Sequence, residues 1–202
     1  MKSRVEGALS GLRVVEWAQM VAGPYCAKLM ADLGAEVIKI EPPARGDEAR
    51  GRGPFLGDEP HPEKSGLFLY LNTNKLGITL DPGTPTGKRL FGELIKGADI
   101  LVEDKALQKL KELGLDYGSL REINPQLIVT SITPFGHSGP YRNYRAYPLN
   151  VFHSGGEGYM TPFAPLNDPL SPGRPPLKVG KYAGEYVAGI SAAGATMVAL
   201  SF

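Results

Sequence analysis

The chain has 202 residues, of which 42% are hydrophobic and 21% are charged, and its formal net charge is +1. These values exclude bulk disorder, and so small a net charge gives no electrostatic reason to expect nucleic acid or an anionic membrane as a partner. No apolar run approaches the about 20 residues that span a bilayer, and the N-terminus lacks the apolar stretch of a signal peptide. We therefore expect a cytoplasmic protein with no membrane contact, whose single cysteine, Cys26, packs in a helix rather than forming an internal disulfide.

The segment from Leu12 to Glu41 predicts a complete β-α-β unit. Arg13 to Trp17 is a short apolar run with β-branched residues, which is typical of a buried strand. A helix is expected to begin around Pro24, which suits the first helical turn, and to end at Gly34, a residue that favours a left-handed C-terminus. A second strand follows from Val37 to Ile40. Such a unit places the start of its helix at the carboxyl edge of a parallel sheet, where ligands bind.

A dinucleotide-binding protein would show the same outline. Its glycine fingerprint is missing here, because only Gly23 lies in the first turn while Ala22 and Pro24 stand where bare backbone is needed. A β-α-β unit with no ligand at this turn also remains possible at this point, since such units are common scaffolds.

The rest of the chain keeps the α/β rhythm. Glu41 to Gly66 predicts a long surface loop, and Phe68 to Leu71 and Ile78 to Leu80 are expected to be short strands. Further elements are predicted as a helix from Pro85 to Lys96 after Thr84, a strand from Ile100 to Val102, helices from Leu107 to Leu113 and from Tyr117 to Ile123, a strand from Leu127 to Ile132, turn-rich loops from Pro134 to Pro148 and from Pro162 to Pro176, and a buried helix from Glu185 onward. The expected fold class is α/β, a Rossmann-like and mostly parallel sheet with helices on both faces.

Three segments carry a resemblance to a known family. They are GLRVVEWAQMVAGPYCAKLMADLGAEVIKIEPP (Gly11 to Pro43), LNTNKLGITLD (Leu71 to Asp81) and FGHSGPY (Phe135 to Tyr141). In this order they resemble the family III CoA-transferases, which include formyl-CoA, carnitine-CoA and benzylsuccinate-CoA transferases and the α-methylacyl-CoA racemases. The resemblance implies transfer of CoA from an acyl-CoA donor to a small carboxylic acid.

In this family an aspartate attacks the donor thioester and carries anhydride and thioester intermediates in turn. The resemblance places Glu185 at that position, in the context Gly184-Glu185. A carboxylate is ionised at neutral pH and needs no base to act as a nucleophile. Glu185 could instead be an ordinary acidic residue in the first turn of a helix, where the helix dipole favours negative charge.

The resemblance also implies a CoA site and no metal. Residues at positions that contact CoA in relatives are Val21, Ala22, Leu80, Asp81, Gly83, Asp104, Lys105, Arg145 and Tyr147. Phosphates need cationic donors, for which Arg50, Lys75 and Arg145 are candidates. No histidine has metal-ligand spacing with another histidine or with the cysteine.

Departures from the family pattern leave two alternatives open. Glutamate replaces the aspartate, and Asp104 to Gln108 replaces the N-F-x-P-G turn that lies against CoA, so the chain could be a non-catalytic subunit beside an active one. A racemase or isomerase is disfavoured, because Tyr147 stands where the racemase histidine would fall.

Members of the family are roughly twice as long as this chain. Residues 1–202 are therefore expected to form the N-terminal, CoA-binding domain, without the small C-terminal domain. The family assembles as two interlocked chains, which implies a homodimer or a heteromer with a related CoA-transferase subunit.

Overall fold

A computed structural model describes residues 7–161 and 177–202. Its strands are β1 (Arg13–Trp17), β2 (Glu36–Glu41), β3 (Lys75–Thr79), β4 (Ile100–Glu103) and β5 (Ile128–Ser131). Its helices are α1 (Ala22–Asp32), α2 (Gly66–Leu71), α3 (Pro85–Lys96), α4 (Leu107–Leu113), α5 (Tyr117–Ile123), α6 (Pro148–Ser154) and α7 (Ala183–Leu200). The loop predicted from Pro162 to Pro176 lies outside the described residues.

The five strands form one parallel sheet in the order β3-β2-β1-β4-β5. This confirms the predicted α/β fold. The central strand β1 pairs with β2 on one side and with β4 on the other, so that Val14 lies beside both Val37 and Ile100. The strand order reverses at this point, and parallel sheets form their ligand-binding crevice outside the carboxyl ends of such strands.

Successive strand residues face opposite sides of the sheet, and helices cover both sides. Val14, Val37 and Ile100 pack under α1 and α7. Val15, Ile40 and Leu101 pack on the other side, under α3 and α5. Both layers were expected from the sequence. Cys26 is buried in α1, as predicted, and burial raises the pKa of its thiol to about 12.

Local signals set the helix ends as the sequence predicts. The Thr84 hydroxyl accepts a hydrogen bond of 3.0 Å from the Gly87 N–H, and α3 ends before Gly97. Gly34, just after α1, has a φ of 104°, which favours glycine. The predicted bounds of α3, α4 and α5 are confirmed.

Three predicted elements need correction. Residues Phe68 to Leu71 belong to α2 instead of a strand, because the buried Ser65 hydroxyl accepts a hydrogen bond of 3.1 Å from the Phe68 N–H and so begins a helix. The strand expected from Ile78 to Leu80 begins three residues earlier and ends one residue earlier, at Lys75–Thr79. The long loop after β2 contains two 3-10 turns, at Glu48–Gly51 and Leu56–Asp58.

The prediction of a buried final helix is wrong for most of α7. Small residues on one face, Gly189, Ala193 and Thr196, are buried against α1 and β5, and the hydroxyls of Thr196 and Thr130 share a hydrogen bond of 2.7 Å. Val187 and Ile190, among others, are exposed on the opposite face. Within residues 7–161 and 177–202, α7 alone is long and apolar enough to cross a membrane by length and composition, a property it shares with core helices of soluble proteins.

Candidate functional site

A cavity of about 350 Å³ opens at the carboxyl edge of the sheet. Residues that follow β1, β2, β3 and β4 line it together, which places it at the point where the strand order reverses. The lining residues are Trp17, Gln19, Ile40, Pro42, Leu80, Asp81, Pro82, Gly83, Lys105, Lys109 and Leu113. The structure therefore brings together four of the residues that the family resemblance assigned to CoA: Leu80, Asp81, Gly83 and Lys105.

The turn from Leu80 to Gly83 forms one wall of this cavity and is held by its own contacts. The Asp81 carboxylate accepts a hydrogen bond of 2.8 Å from the Gly83 N–H. A methyl group added at Gly87 would lie 1.8 Å from the Asp81 carbonyl oxygen, so α3 approaches the turn too closely for any other residue. The Asp81 side chain is consequently held exposed at the rim.

Two lysines bring positive charge to the cavity. Lys105 pairs with Asp104, and its ammonium lies 5.3 Å from the centre of the Trp17 ring. Lys109 is exposed on α4, which begins just after the carboxyl end of β4. Lys109 is not among the residues predicted from the sequence, although a cation in the first turn of a helix that follows a central strand is a usable signal for a site at this edge.

Two of the cations expected to meet phosphates are engaged within the chain. The Arg50 guanidinium forms two hydrogen bonds with the Glu41 carboxylate, at 2.7 and 2.8 Å, and one of 2.8 Å with Glu63. The Lys75 ammonium, whose side chain is 1% exposed, lies 2.7 Å from Glu16 and donates to the Pro24 carbonyl oxygen at 2.8 Å. Both cations therefore make ion pairs and hydrogen bonds within the fold, and neither lines the cavity.

Glu16, Lys39, Asp47 and Lys75 form a buried charge cluster beneath α1. Lys39 lies 2.7 Å from both Glu16 and Asp47. Burial opposes ionisation of Glu16, but Lys39 and Lys75 outweigh it and lower the pKa of this carboxyl. Burial of Lys75 lowers its pKa to about 8. Glu16 and Lys39 are direct neighbours in the β1–β2 register, each two residues after a buried valine, so the pairing was visible in the sequence once the register was known.

The start of α1 meets the same edge of the sheet. Val21 is buried with 1% of its surface exposed, while Ala22 is half-buried. Gly23 packs against Ala18, since an added methyl group would lie 2.3 Å from the Ala18 side chain. No side chain within the described ranges caps the N-terminus of α1.

Glu185 lies in the first turn of α7 and is half-buried. One turn later, Gly189 packs so closely on α1 that an added methyl group would lie 2.7 Å from the Ala22 carbonyl oxygen. The neighbouring Tyr186 ring makes an edge contact with Tyr25, with ring centres 4.8 Å apart. These contacts place the start of α7, and Glu185 with it, beside the start of α1.

Three further residues of the expected CoA set do not line the cavity. Arg145 and Tyr147 are exposed in the loop before α6. Asp104 uses both carboxylate oxygens within the protein, one on Lys105 and the other on the Gln19 N–H at 2.7 Å. These contacts support the β1–α1 turn.

Comparison with known proteins decides the family. The family model described as CoA-transferase family III matches residues 9–201. The chain belongs to this family. The resemblance stated from the sequence is thereby confirmed, and the chain is not a dinucleotide-binding protein of the kind weighed from the sequence.

Among relatives, a succinate–glutarate CoA-transferase of Agrobacterium fabrum is 38% identical over 194 residues, covering 95% of this chain and 46% of the relative. A formyl-CoA:oxalate CoA-transferase of Afipia carboxidovorans is 40% identical over 156 residues, covering 77% of this chain and 36% of that protein. The crystal structure of a CAIB/BAIF family protein from Brucella suis superposes with a TM-score of 0.81 at 37% identity, covering 97% of this chain and 50% of that one. The chain thus spans half or less of the length of these family III relatives.

Proposed function

We propose that the protein containing this chain transfers CoA from an acyl-CoA donor to a small carboxylic acid, and that the acyl-CoA binds at the carboxyl edge of the sheet. The observation that carries the proposal is the cavity lined by Lys105 and Lys109, at the switch point of a family III CoA-transferase sheet. Coenzyme A enters the reaction as a substrate, and no metal takes part in the proposed mechanism.

The chemistry of the cavity suits a phosphorylated ligand. Lys109 supplies an ammonium donor for phosphate oxygens, and Lys105, although it is paired with Asp104, keeps further ammonium N–H donors for them. The Leu80 to Gly83 turn and the backbone at Val21 and Ala22 are proposed to complete the contact. Arg145 and Tyr147 lie in the exposed loop before α6. They remain proposed CoA contacts on the basis of the family pattern.

Glu185 is the proposed nucleophile. Its carboxylate attacks the thioester carbonyl carbon, which forms a mixed anhydride and releases CoA thiolate. The thiolate then attacks the glutamyl carbonyl carbon, forming an enzyme–CoA thioester and freeing the donor acid. The acceptor carboxylate displaces the thiolate by forming a second anhydride, and attack of the thiolate on its acyl carbon yields the new acyl-CoA and restores Glu185. Backbone N–H groups near the start of α7 can stabilise the oxyanions.

The principal alternative is a non-catalytic subunit that supports an active chain. It rests on the longer glutamate side chain, because misplacement of a reacting group by about 1 Å can cost roughly 100-fold in rate. A racemase or isomerase is the lesser alternative, since Tyr147 occupies the position of the racemase histidine.

For its assembly we propose a second chain, identical or related, and a cytoplasmic location. The exposed apolar residues of α7, such as Ile190 and Val198, support a partner surface on this helix. An interlocked dimer is the form that the family pattern implies.

The test is covalent capture on the complete gene product. Incubation with succinyl-CoA, formyl-CoA and other acyl-CoAs, with oxalate, succinate or glutarate as acceptors, should leave a hydroxylamine-sensitive adduct on Glu185, located by peptide mass spectrometry. Glu185→Gln should abolish both adduct and turnover, Glu185→Asp should keep or raise turnover, and Glu122→Gln, an exposed change on α5, should leave both unchanged. Normal turnover by Glu185→Gln would refute the nucleophile. Activity that appears only when a second, aspartate-bearing chain is added would establish the non-catalytic subunit.

A further inference from the structure

The turn that joins β1 to α1 is held at two consecutive peptide groups by three side chains from elsewhere. The Ala18 carbonyl oxygen accepts a hydrogen bond of 3.1 Å from the Lys39 ammonium. The Gln19 N–H donates to the Asp104 carboxylate at 2.7 Å, and the Met20 N–H donates to the Asp47 carboxylate at 3.0 Å. We name these three side chains the turn clamp.

Met20 shows why such a clamp is needed. Its φ of 63° lies in the left-handed region, which residues with a β-carbon adopt at a cost in free energy. Val21 and the first turn of α1 follow directly, so the φ of Met20 sets the direction in which α1 begins. A change in the φ of Met20 would therefore change the direction in which the first turn of α1 leaves the carboxyl edge.

The clamp residues are themselves fixed. Asp47 is buried, and it also accepts a hydrogen bond of 2.8 Å from the Ala49 N–H while its second oxygen lies 2.7 Å from Lys39. Its own N–H donates to Glu41 at 2.8 Å. Asp104 pairs with Lys105, a residue of the cavity wall. The clamp thus connects the loop after β2 and the turn after β4 to the start of α1.

We propose that Asp47 and Asp104 are positioning residues for acyl-CoA, which they do not touch. They hold Met20 in its left-handed conformation and so present the start of α1 to the ligand. This inference rests on the proposed function, since it concerns the same site. It also gives Asp104 a role other than direct contact with CoA.

The experiment compares the affinity of the complete gene product for free CoA by calorimetry. Asp47→Ala and Asp104→Ala should each weaken binding by about tenfold or more, because one backbone N–H of the turn loses its acceptor. Asp116→Ala is the matched control, since Asp116 also accepts a backbone hydrogen bond, from Gly118 at 3.1 Å, but at the start of α5. It should leave the affinity within about twofold of the wild type, a change well below tenfold.

A rescue separates positioning from general stability. Met20→Gly in the Asp47→Ala background should recover much of the lost affinity, because glycine adopts a φ near 60° without strain. Asp47→Asn, which keeps an oxygen acceptor for the Met20 N–H, should bind more tightly than Asp47→Ala. A rescue that fails, with Asp47→Asn no better than Asp47→Ala, would overturn the assignment of Asp47.

Two failures can be told apart. If the wild type binds CoA and both alanine variants bind it equally well, the positioning inference is wrong and the proposed function stands. If the wild type binds no CoA, the proposed function fails. Amide hydrogen exchange then still tests the clamp, because the N–H groups of Gln19 and Met20 should exchange faster in Asp104→Ala and Asp47→Ala respectively.

Discussion

At the scale of single residues, the charge of a side chain does not show whether it can bind a ligand until its partners in the fold are known. Arg50 and Lys75 look like phosphate ligands in the sequence, yet both are neutralised by carboxylates inside the chain. Lys109 is not predicted to bind phosphate, but the fold places it in the lining of the cavity. The positive charge available to a ligand is therefore decided by tertiary contacts.

Lys109 allows a direct test of this point. Lys109→Gln should weaken CoA binding about tenfold or more, since a hydrogen bond to a charged group contributes roughly 1.5 to 3 kcal/mol. Lys111→Gln on the same helix is the control, because residues two apart on a helix face different directions and Lys111 does not line the cavity. Calorimetry at low and high salt would measure both. Equal losses for the two variants would mean that α4 acts only through its overall charge.

Part of the candidate site is predicted through the family resemblance. That resemblance names Leu80, Asp81, Gly83 and Lys105, and the structure brings these four residues together at one edge of the sheet. The turn clamp could not be predicted, because Asp47 and Asp104 reach the β1–α1 turn from loops whose paths the sequence does not determine.

At the scale of elements, prediction succeeds where local chemistry decides. Thr84 and Gly97 delimit α3 through a capping hydrogen bond and a helix stop, so its bounds follow from the sequence. The four apolar residues from Phe68 to Leu71 fit a strand or a helix equally well, and the Ser65 cap decides for the helix. The sequence does not predict the exposure of α7, because this helix is apolar on both faces. Only the face with glycine and alanine contacts α1.

The packing of the glycine and alanine face of α7 on α1 can be tested by substituting a matched pair of glycines in α7. Gly189→Ala would bring a methyl group to 2.7 Å from the Ala22 carbonyl oxygen, so α7 must shift away from α1. We expect a loss of about 1 to 3 kcal/mol in the free energy of unfolding, as for overpacking elsewhere. Gly194→Ala, on the same helix with nothing within 4 Å of the added methyl group, should be neutral or stabilising by up to about 1 kcal/mol.

Urea unfolding followed by circular dichroism measures both changes. Equal stability of the two variants would contradict the close packing of α7 on α1. Because Glu185 precedes Gly189 by one turn, Gly189→Ala should also lower turnover in the capture experiment, while Gly194→Ala should not.

At the scale of the whole molecule, the strand order determines where chemistry can occur. A β3-β2-β1-β4-β5 sheet separates its carboxyl-edge loops on either side of β1 and leaves a crevice between them. The sequence predicts a mostly parallel sheet, but the order depends on long-range pairing that local patterns do not encode. Buried charges lie at this edge on both sides of the crevice, with Glu41 at the end of β2 and Glu103 at the end of β4.

These two carboxyls should give the stability of the molecule opposite dependences on pH. Burial opposes ionisation of Glu41, but hydrogen bonds from Arg50 and from the Asp47 N–H outweigh it and lower its pKa below 4.5. The unfolded state then binds more protons near that pH, so the stability due to Glu41 is present above about pH 4.5 and is lost as the pH falls. Burial raises the pKa of Glu103 above 4.5, although the hydrogen bond from the Lys105 N–H opposes it. Its contribution is therefore lost as the pH rises through the raised pKa.

Isosteric variants separate the two effects. Glu41→Gln should lower the free energy of unfolding at pH 7 and flatten its fall between about pH 5 and pH 3, because it removes the carboxyl whose protonation drives that fall. Glu103→Gln keeps an oxygen acceptor for the Lys105 N–H and cannot ionise, so it should gain stability relative to the wild type as the pH rises from about 4 to about 8. Urea midpoints measured across this range give both slopes. If Glu103→Gln shows the same pH profile as the wild type, Glu103 does not change its protonation on folding, and the burial of its carboxyl has no electrostatic cost in this fold.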